Sequence, residues 1–260
     1  MAPPPSTLYT PTLVLALLVA LCVAASLRLI AILPSARRRT PHPRTRPARA
    51  RILVVLGSGG HTHEMLALLR GLDARKYTHR TYVVSSGDAF SAARAEAFER
   101  GLAANVATQA QTQTQTQTQD AQRTCCVGPQ FYSVVAIPRA RRVHQPLYST
   151  PLSALQTLAA AFGPLLSRPS AGVELPHLIV TNGPATAVVV VLAAMVLRFF
   201  DVRGAQSRGL CRTVYVESFA RVKTLSLSGR LLVRVVDRFV VQWEALEGYA
   251  GRAEYGGILV

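Results

Sequence analysis

The chain is poor in lysine, acid and cysteine, and each shortage removes a class of explanation. Lys76 and Lys223 are the only lysines, so the formal net charge of +16 comes almost wholly from arginine. Thirteen acids against 29 basic residues leave an excess that suits anionic partners such as lipid headgroups or phosphates. Cys22, Cys125, Cys126 and Cys211 are too few and too irregularly spaced for a disulfide framework or a zinc site. No metal and no cofactor is expected, and a reducing, cytosol-facing compartment fits. A nucleic-acid partner would want basic residues interleaved with aromatics on one face, and no stretch has that pattern.

Charge is also missing from residues 2–27, where leucine, valine and alanine dominate. Twenty such residues at about 1.5 Å each span a hydrocarbon core of about 30 Å. The run exceeds the roughly 7–15 apolar residues of a signal peptide and lacks its basic leader, so residues 8–33 are expected to be a membrane anchor. Eight arginines and no acid lie between positions 28 and 51. The positive-inside rule then leaves residues 1–7 in the lumen and places everything after the helix in the cytoplasm. Residues 34–50 read as a stiff Arg/Pro-rich linker that also attracts anionic headgroups.

What the chain does have is a strand leading into a glycine turn. Residues 52–56 are all apolar and glycine-bounded, as in a strand buried on both faces. Gly57, Gly59 and Gly60 leave the turn nearly bare, and Met65, Leu66, Leu68 and Leu69 then recur at helical spacing. Backbone N–H groups at that helix start are open to a ligand, and the helix dipole favours an anion there.

Further strands are expected at 79–85, 131–137, 177–181, 213–216 and 238–241. Helices are expected at 88–102, 152–166, 187–200 and 226–234. Residues 107–124, dominated by alternating Gln and Thr, read as a disordered insertion. The 152–166 helix lacks a charged face, so it either covers the sheet or lies against a bilayer surface. The uniformly apolar part of the next helix spans only 11 residues, 187–197, which suits a buried helix rather than a second membrane pass. The pattern is α/β: one doubly wound, parallel, Rossmann-like sheet over residues 51–241. Ligands in such folds sit outside the carboxyl ends of the strands. Three of those ends carry unusual residues: 57–64, 182–186 and 217–221.

Several chemistries fail on their own motifs. A dinucleotide fingerprint needs glycine where Thr62 stands and an acid where Ser85 and Ser86 stand. No Gly-Lys-Ser/Thr follows the glycines, which excludes a P-loop. Gly57-Ser58-Gly59 is not the nucleophile elbow of a serine hydrolase.

Gly57-Ser58-Gly59-Gly60-His61-Thr62-His63-Glu64, Thr181-Asn182-Gly183-Pro184 and Tyr215-Val216-Glu217-Ser218-Phe219-Ala220-Arg221 together resemble a known family. It is the membrane-anchored subunit of the eukaryotic UDP-N-acetylglucosamine transferase, which adds the second sugar to dolichol-diphosphate-linked N-acetylglucosamine. The same half-fold is similar to the acceptor domain of the bacterial enzyme that makes lipid II. Ala185 departs from the family pattern, which usually has glycine there. The resemblance implies the N-terminal half of a two-lobed glycosyltransferase, anchored in the endoplasmic reticulum membrane. A separate catalytic subunit would bind UDP-N-acetylglucosamine and dock on a C-terminal tail, residues 242–260, at its apolar end Ile258, Leu259 and Val260. This chain would hold the lipid-diphosphate-sugar acceptor. At 260 residues it has no room for a second such lobe beside the anchor.

Sugar transfer needs an acceptor hydroxyl positioned and deprotonated near the anomeric carbon. His61 is the candidate base or phosphate ligand, and Glu217 the candidate acceptor of a sugar hydroxyl. Gly57, Ser58, Gly59, Gly60, Glu64, Asn182, Gly183, Thr186 and Arg221 are the candidate acceptor and diphosphate contacts. Three other readings stay open: a self-sufficient single-chain transferase, a tethered dinucleotide oxidoreductase, and a purely structural recruiter.

Overall fold

A computed structural model describes residues 9–34, 49–112, 126–140, 150–167, 175–183 and 185–259. Its elements in chain order begin with α1 (Tyr9–Ile32), β1 (Ala50–Val55), α2 (Gly60–Leu68), β2 (Tyr77–Ser85), α3 (Ala89–Thr112) and β3 (Tyr132–Ile137). They continue with α4 (Thr150–Leu166), β4 (Leu178–Asn182), α5 (Ala185–Phe199), β5 (Arg212–Val216), α6 (Leu227–Leu232), β6 (Arg238–Val241) and β7 (Ala253–Tyr255). Seven strands, every neighbouring pair parallel, form one sheet in the order β3-β2-β1-β4-β5-β6-β7. The order reverses between β1 and β4, and there a crevice opens.

All six residues of β1 are buried, which is why it reads as a continuous apolar run. Leu53 and Val55 face a core shared with α4 and α5. Ile52, Val54 and Leu56 face the opposite core, with Met65 of α2 and Ala95 of α3. Arg51 is the exception. Its guanidinium is buried and donates to the carbonyls of Pro164 at 2.6 Å and Ser167 at 2.7 Å. It therefore satisfies the open end of α4, where the helix dipole favours a cation. Burial lowers its pKa to about 10, which leaves it charged at neutral pH.

The structure departs from the sequence reading in three places. A seventh strand lies in the stretch read as a tail after residue 241, so the sheet extends to Tyr255. α3 runs on to Thr112, so the first part of the expected 107–124 insertion is helical. No glycine or proline interrupts that stretch to stop it. The remainder, 113–124, lies outside the described residues. α5 has 15 residues and buries Val190, Val191, Ala193 and Ala194, as a covering helix should.

The third departure concerns the anchor. Among the described residues, α1 alone is long and apolar enough to cross a membrane. Its base is not joined to the domain through a linker only. Arg28 donates to the carbonyls of Phe199 at 2.9 Å and Arg198 at 3.1 Å, at the end of α5. In return Arg198 donates to the carbonyl of Ile32 at 2.9 Å, and Arg252 to that of Pro34 at 2.6 Å. Each helix end is thus closed by arginines from the other side. Linker residues 35–48 lie outside the described residues.

Candidate functional site

The crevice has a volume of about 950 Å³ and is walled by all three segments marked out in the sequence. Gly57, Ser58 and His61 come from the first, Asn182, Gly183 and Thr186 from the second, and Glu217, Ser218 and Arg221 from the third. The β1 segment turns into α2 through Gly59, whose φ of 61° and ψ of −120° suit glycine alone. No side chain caps α2, so the N–H groups of its first turn are left to a ligand.

His61 is seated between two glycines. A Cβ on Gly57 would lie 2.5 Å from His61 Cβ, and one on Gly183 would lie 3.0 Å from His61 Cγ. Gly183 also has a φ of +87°. Either methyl group would push the imidazole out of place. The ring is partly exposed to the crevice, whereas its Nδ1 is buried, has no hydrogen bond and lies 3.6 Å from Glu64 Oε2. Nε2 is the nitrogen left to a ligand.

Glu64 does more than complement the helix start. Its Oε2 accepts from Asn182 Nδ2 at 2.8 Å, and its Oε1 accepts from Ser218 Oγ at 3.0 Å. One carboxylate thus ties the ends of β1, β4 and β5 together. Asn182 Oδ1 is buried in the wall without a partner.

Glu217 lies at the floor, 1% exposed, and both its oxygens are engaged within the chain. Oε1 accepts from the Ser218 backbone N–H at 3.1 Å, and Oε2 accepts from the N–H and hydroxyl of Ser226, each at 3.1 Å. Ser226 caps α6 in turn by accepting from the Gly229 N–H at 2.9 Å. In this arrangement Glu217 holds the turn before α6. Thr186, at the start of α5, lies with its hydroxyl 3.4 Å from that of Ser85.

Sequence reasoning missed two groups. Thr62 Oγ1 donates to the Gly57 carbonyl and sits 2.7 Å from Ser91 Oγ, whose proton goes to Asp88 Oδ2 at 2.8 Å. These residues fix the turn from behind, and nothing in a linear reading pairs positions so far apart. The other is Arg139, which lines the crevice from beyond β3. A cation directly after a strand was the available signal. Arg139 and Arg221 bring positive charge to the walls, while Glu64 and Glu217 are both held by donors, so the site suits an anion. Tyr215 donates to the Gly183 carbonyl at 3.2 Å, and burial raises its phenol pKa, which keeps it a donor.

The chain end is partly packed at home. A Cβ at Gly256 would meet Val240 at 2.8 Å, and the Leu259 N–H donates to Gln242 Oε1 at 3.1 Å. Ile258 is exposed, and Val260 lies outside the described residues.

A family model described as "Oligosaccharide biosynthesis protein Alg14 like" matches residues 52–259. The Aspergillus fumigatus protein named UDP-N-acetylglucosamine transferase subunit alg14 is 40% identical over 237 residues, covering 75% of this chain and 100% of that one. The subunit of that name from Cryptococcus neoformans is 38% identical over 228 residues, 86% of each chain. The human one is 34% identical over 213 residues, 80% of this chain and 82% of that one. Among solved structures, Acinetobacter baumannii MurG aligns with a TM-score of 0.41 at 14% identity, over 75% of this chain and 41% of that one.

Proposed function

This chain belongs to the Alg14-like family of oligosaccharide biosynthesis proteins, and from that premise we propose that it is the membrane-anchoring, acceptor-binding subunit of a UDP-N-acetylglucosamine transferase. The acceptor is N-acetylglucosamine-diphosphodolichol, and the reaction adds its second sugar. A separate catalytic subunit supplies the UDP-N-acetylglucosamine site. α1 holds the complex at the endoplasmic reticulum, with the sheet on the cytosolic side, as the arginines after α1 favour.

The observation that carries this reading is the crevice itself. It presents two helix starts and two arginines to an anion, with one imidazole fixed beside them. The acceptor diphosphate lies at the starts of α2 and α5, between Arg139 and Arg221. His61 Nε2 takes the proton of the acceptor hydroxyl as its oxygen bonds to the anomeric carbon and UDP departs. Glu64 orients the imidazole and Glu217 secures the wall. The described residues form one such lobe, and the relatives are named as subunits, which supports a donor site on another polypeptide.

The test is ligand binding by the full chain in detergent, without any partner. A short-prenyl diphosphate N-acetylglucosamine should bind, and UDP-N-acetylglucosamine should not. Binding of the nucleotide sugar but not the lipid would reverse the assignment.

A further inference from the structure

α4 and α5 pack side by side on one face of the sheet and share the core beneath them. Both start at the crevice, where Thr150 and Ala185 line it, and both run toward the opposite edge of the sheet. Their inner residues are buried, and their outer ones, with Gln156 of α4 the one exposed polar side chain, include several large apolar groups. Leu152 is 65% exposed and Leu155 61%, while Leu192 and Val196 on the next helix and Phe200 directly after it are 42%, 36% and 70% exposed. The spacings are three residues on α4 and four on α5, so each set forms one stripe. The only charge on either helix is Arg198, which is buried and paired with Asp237 at 2.9 Å. A solvated helix normally turns a charged face outward, and contiguous apolar surface of this kind marks an interaction site.

What covers the face is indicated by its ends. The α5 stripe finishes at Phe200, beside the Phe199 carbonyl that Arg28 of α1 engages. The apolar face therefore ends beside the base of α1, which is long and apolar enough to cross a bilayer, and that base is clamped to α5 by reciprocal hydrogen bonds. Cationic Arg28 and exposed Arg203 stand at this end, and side chains of this kind suit anionic headgroups.

We propose that the joint outer face of α4 and α5 lies on the bilayer surface as a second, peripheral membrane contact. The domain then rests on its side beside its anchor. The start of α4 brings the mouth of the crevice down to the headgroups, so a lipid-linked ligand can enter without leaving the membrane. This contact depends on α1 spanning the membrane and not on the transferase reading.

Tryptophan scanning of the full chain in vesicles of acyl-brominated phosphatidylcholine tests it. Leu155→Trp, Leu192→Trp and Val196→Trp each add a fluorophore to the face, read by difference from the chain carrying Trp243 alone. Ala97→Trp, on exposed α3 behind the opposite core, is the control. The face positions should be quenched by bromolipid at least twofold more than Ala97→Trp. Three sites keep the comparison available if one variant misfolds. Quenching equal to the control overturns the proposal. So does protection from aqueous acrylamide that appears only when a partner subunit is added, which would make the face a protein interface.

Discussion

Glu64 Oε2 lies 3.6 Å from His61 Nδ1, one turn back along α2, and shares that nitrogen with no other group. A carboxylate in this place favours the tautomer with the proton on Nδ1, leaving the Nε2 lone pair for the crevice. His61→Ala in the assembled complex should lower kcat by about 10²–10⁴-fold, the usual span for losing a general base. Acceptor affinity should change only a few-fold. Glu64→Gln should lower kcat by a smaller factor, because the amide cannot replace both accepting oxygens. Steady-state kinetics that separate kcat from KM check both.

Two glycines give opposite predictions. Gly183→Ala faces a positive φ and a contact with His61, so it should destabilise by about 1–3 kcal/mol and abolish most activity. Gly60 has nothing within 4 Å of an added Cβ and an ordinary φ. Gly60→Ala should therefore melt like the parent yet bind the lipid diphosphate more weakly. Thermal melting beside acceptor titration separates the two.

Glu217 anchors three donors in a buried place. Glu217→Ala strands them and should cost about 2 kcal/mol or more of stability, at roughly 1–3 kcal/mol per buried group left unpaired. Denaturant unfolding in detergent would measure this. An unchanged midpoint with lost turnover would move Glu217 from a structural to a chemical role.

Much of the fold is legible in the residues because most of its strands are apolar runs ended by glycine, asparagine or a charge. β7 is not legible. Ala253-Glu254-Tyr255 is too short for any periodicity and pairs only because β6 lies beside it. The convergence of three strand ends could be read, since a parallel sheet brings them to one edge. The bonds that join them could not. Glu64 meets Asn182 and Ser218 across 118 and 154 positions, and no local rule pairs them. The seat of α1 on Arg198 and Arg252 was hidden for the same reason, and the arginines near it read only as topology signals.

Stability should depend on pH through His79. Burial, then the charges of Arg51 and Arg80, hold its pKa at about 4. An unfolded histidine titrates near ~6.5. Above that pH neither state is protonated. As pH falls from about 6.5 to about 4, only the unfolded chain takes up the proton, and stability drops by about 3 kcal/mol. Burial also lowers the pKa of His177, which adds in the same direction. Melting temperatures at pH 7.5 and pH 5 should therefore differ more for the parent than for His79→Gln.

The most direct test is turnover of UDP-N-acetylglucosamine with a lipid diphosphate sugar, measured for this chain alone and for its co-purified complex. A disaccharide product is expected only from the complex. Product from the isolated chain would contradict that expectation.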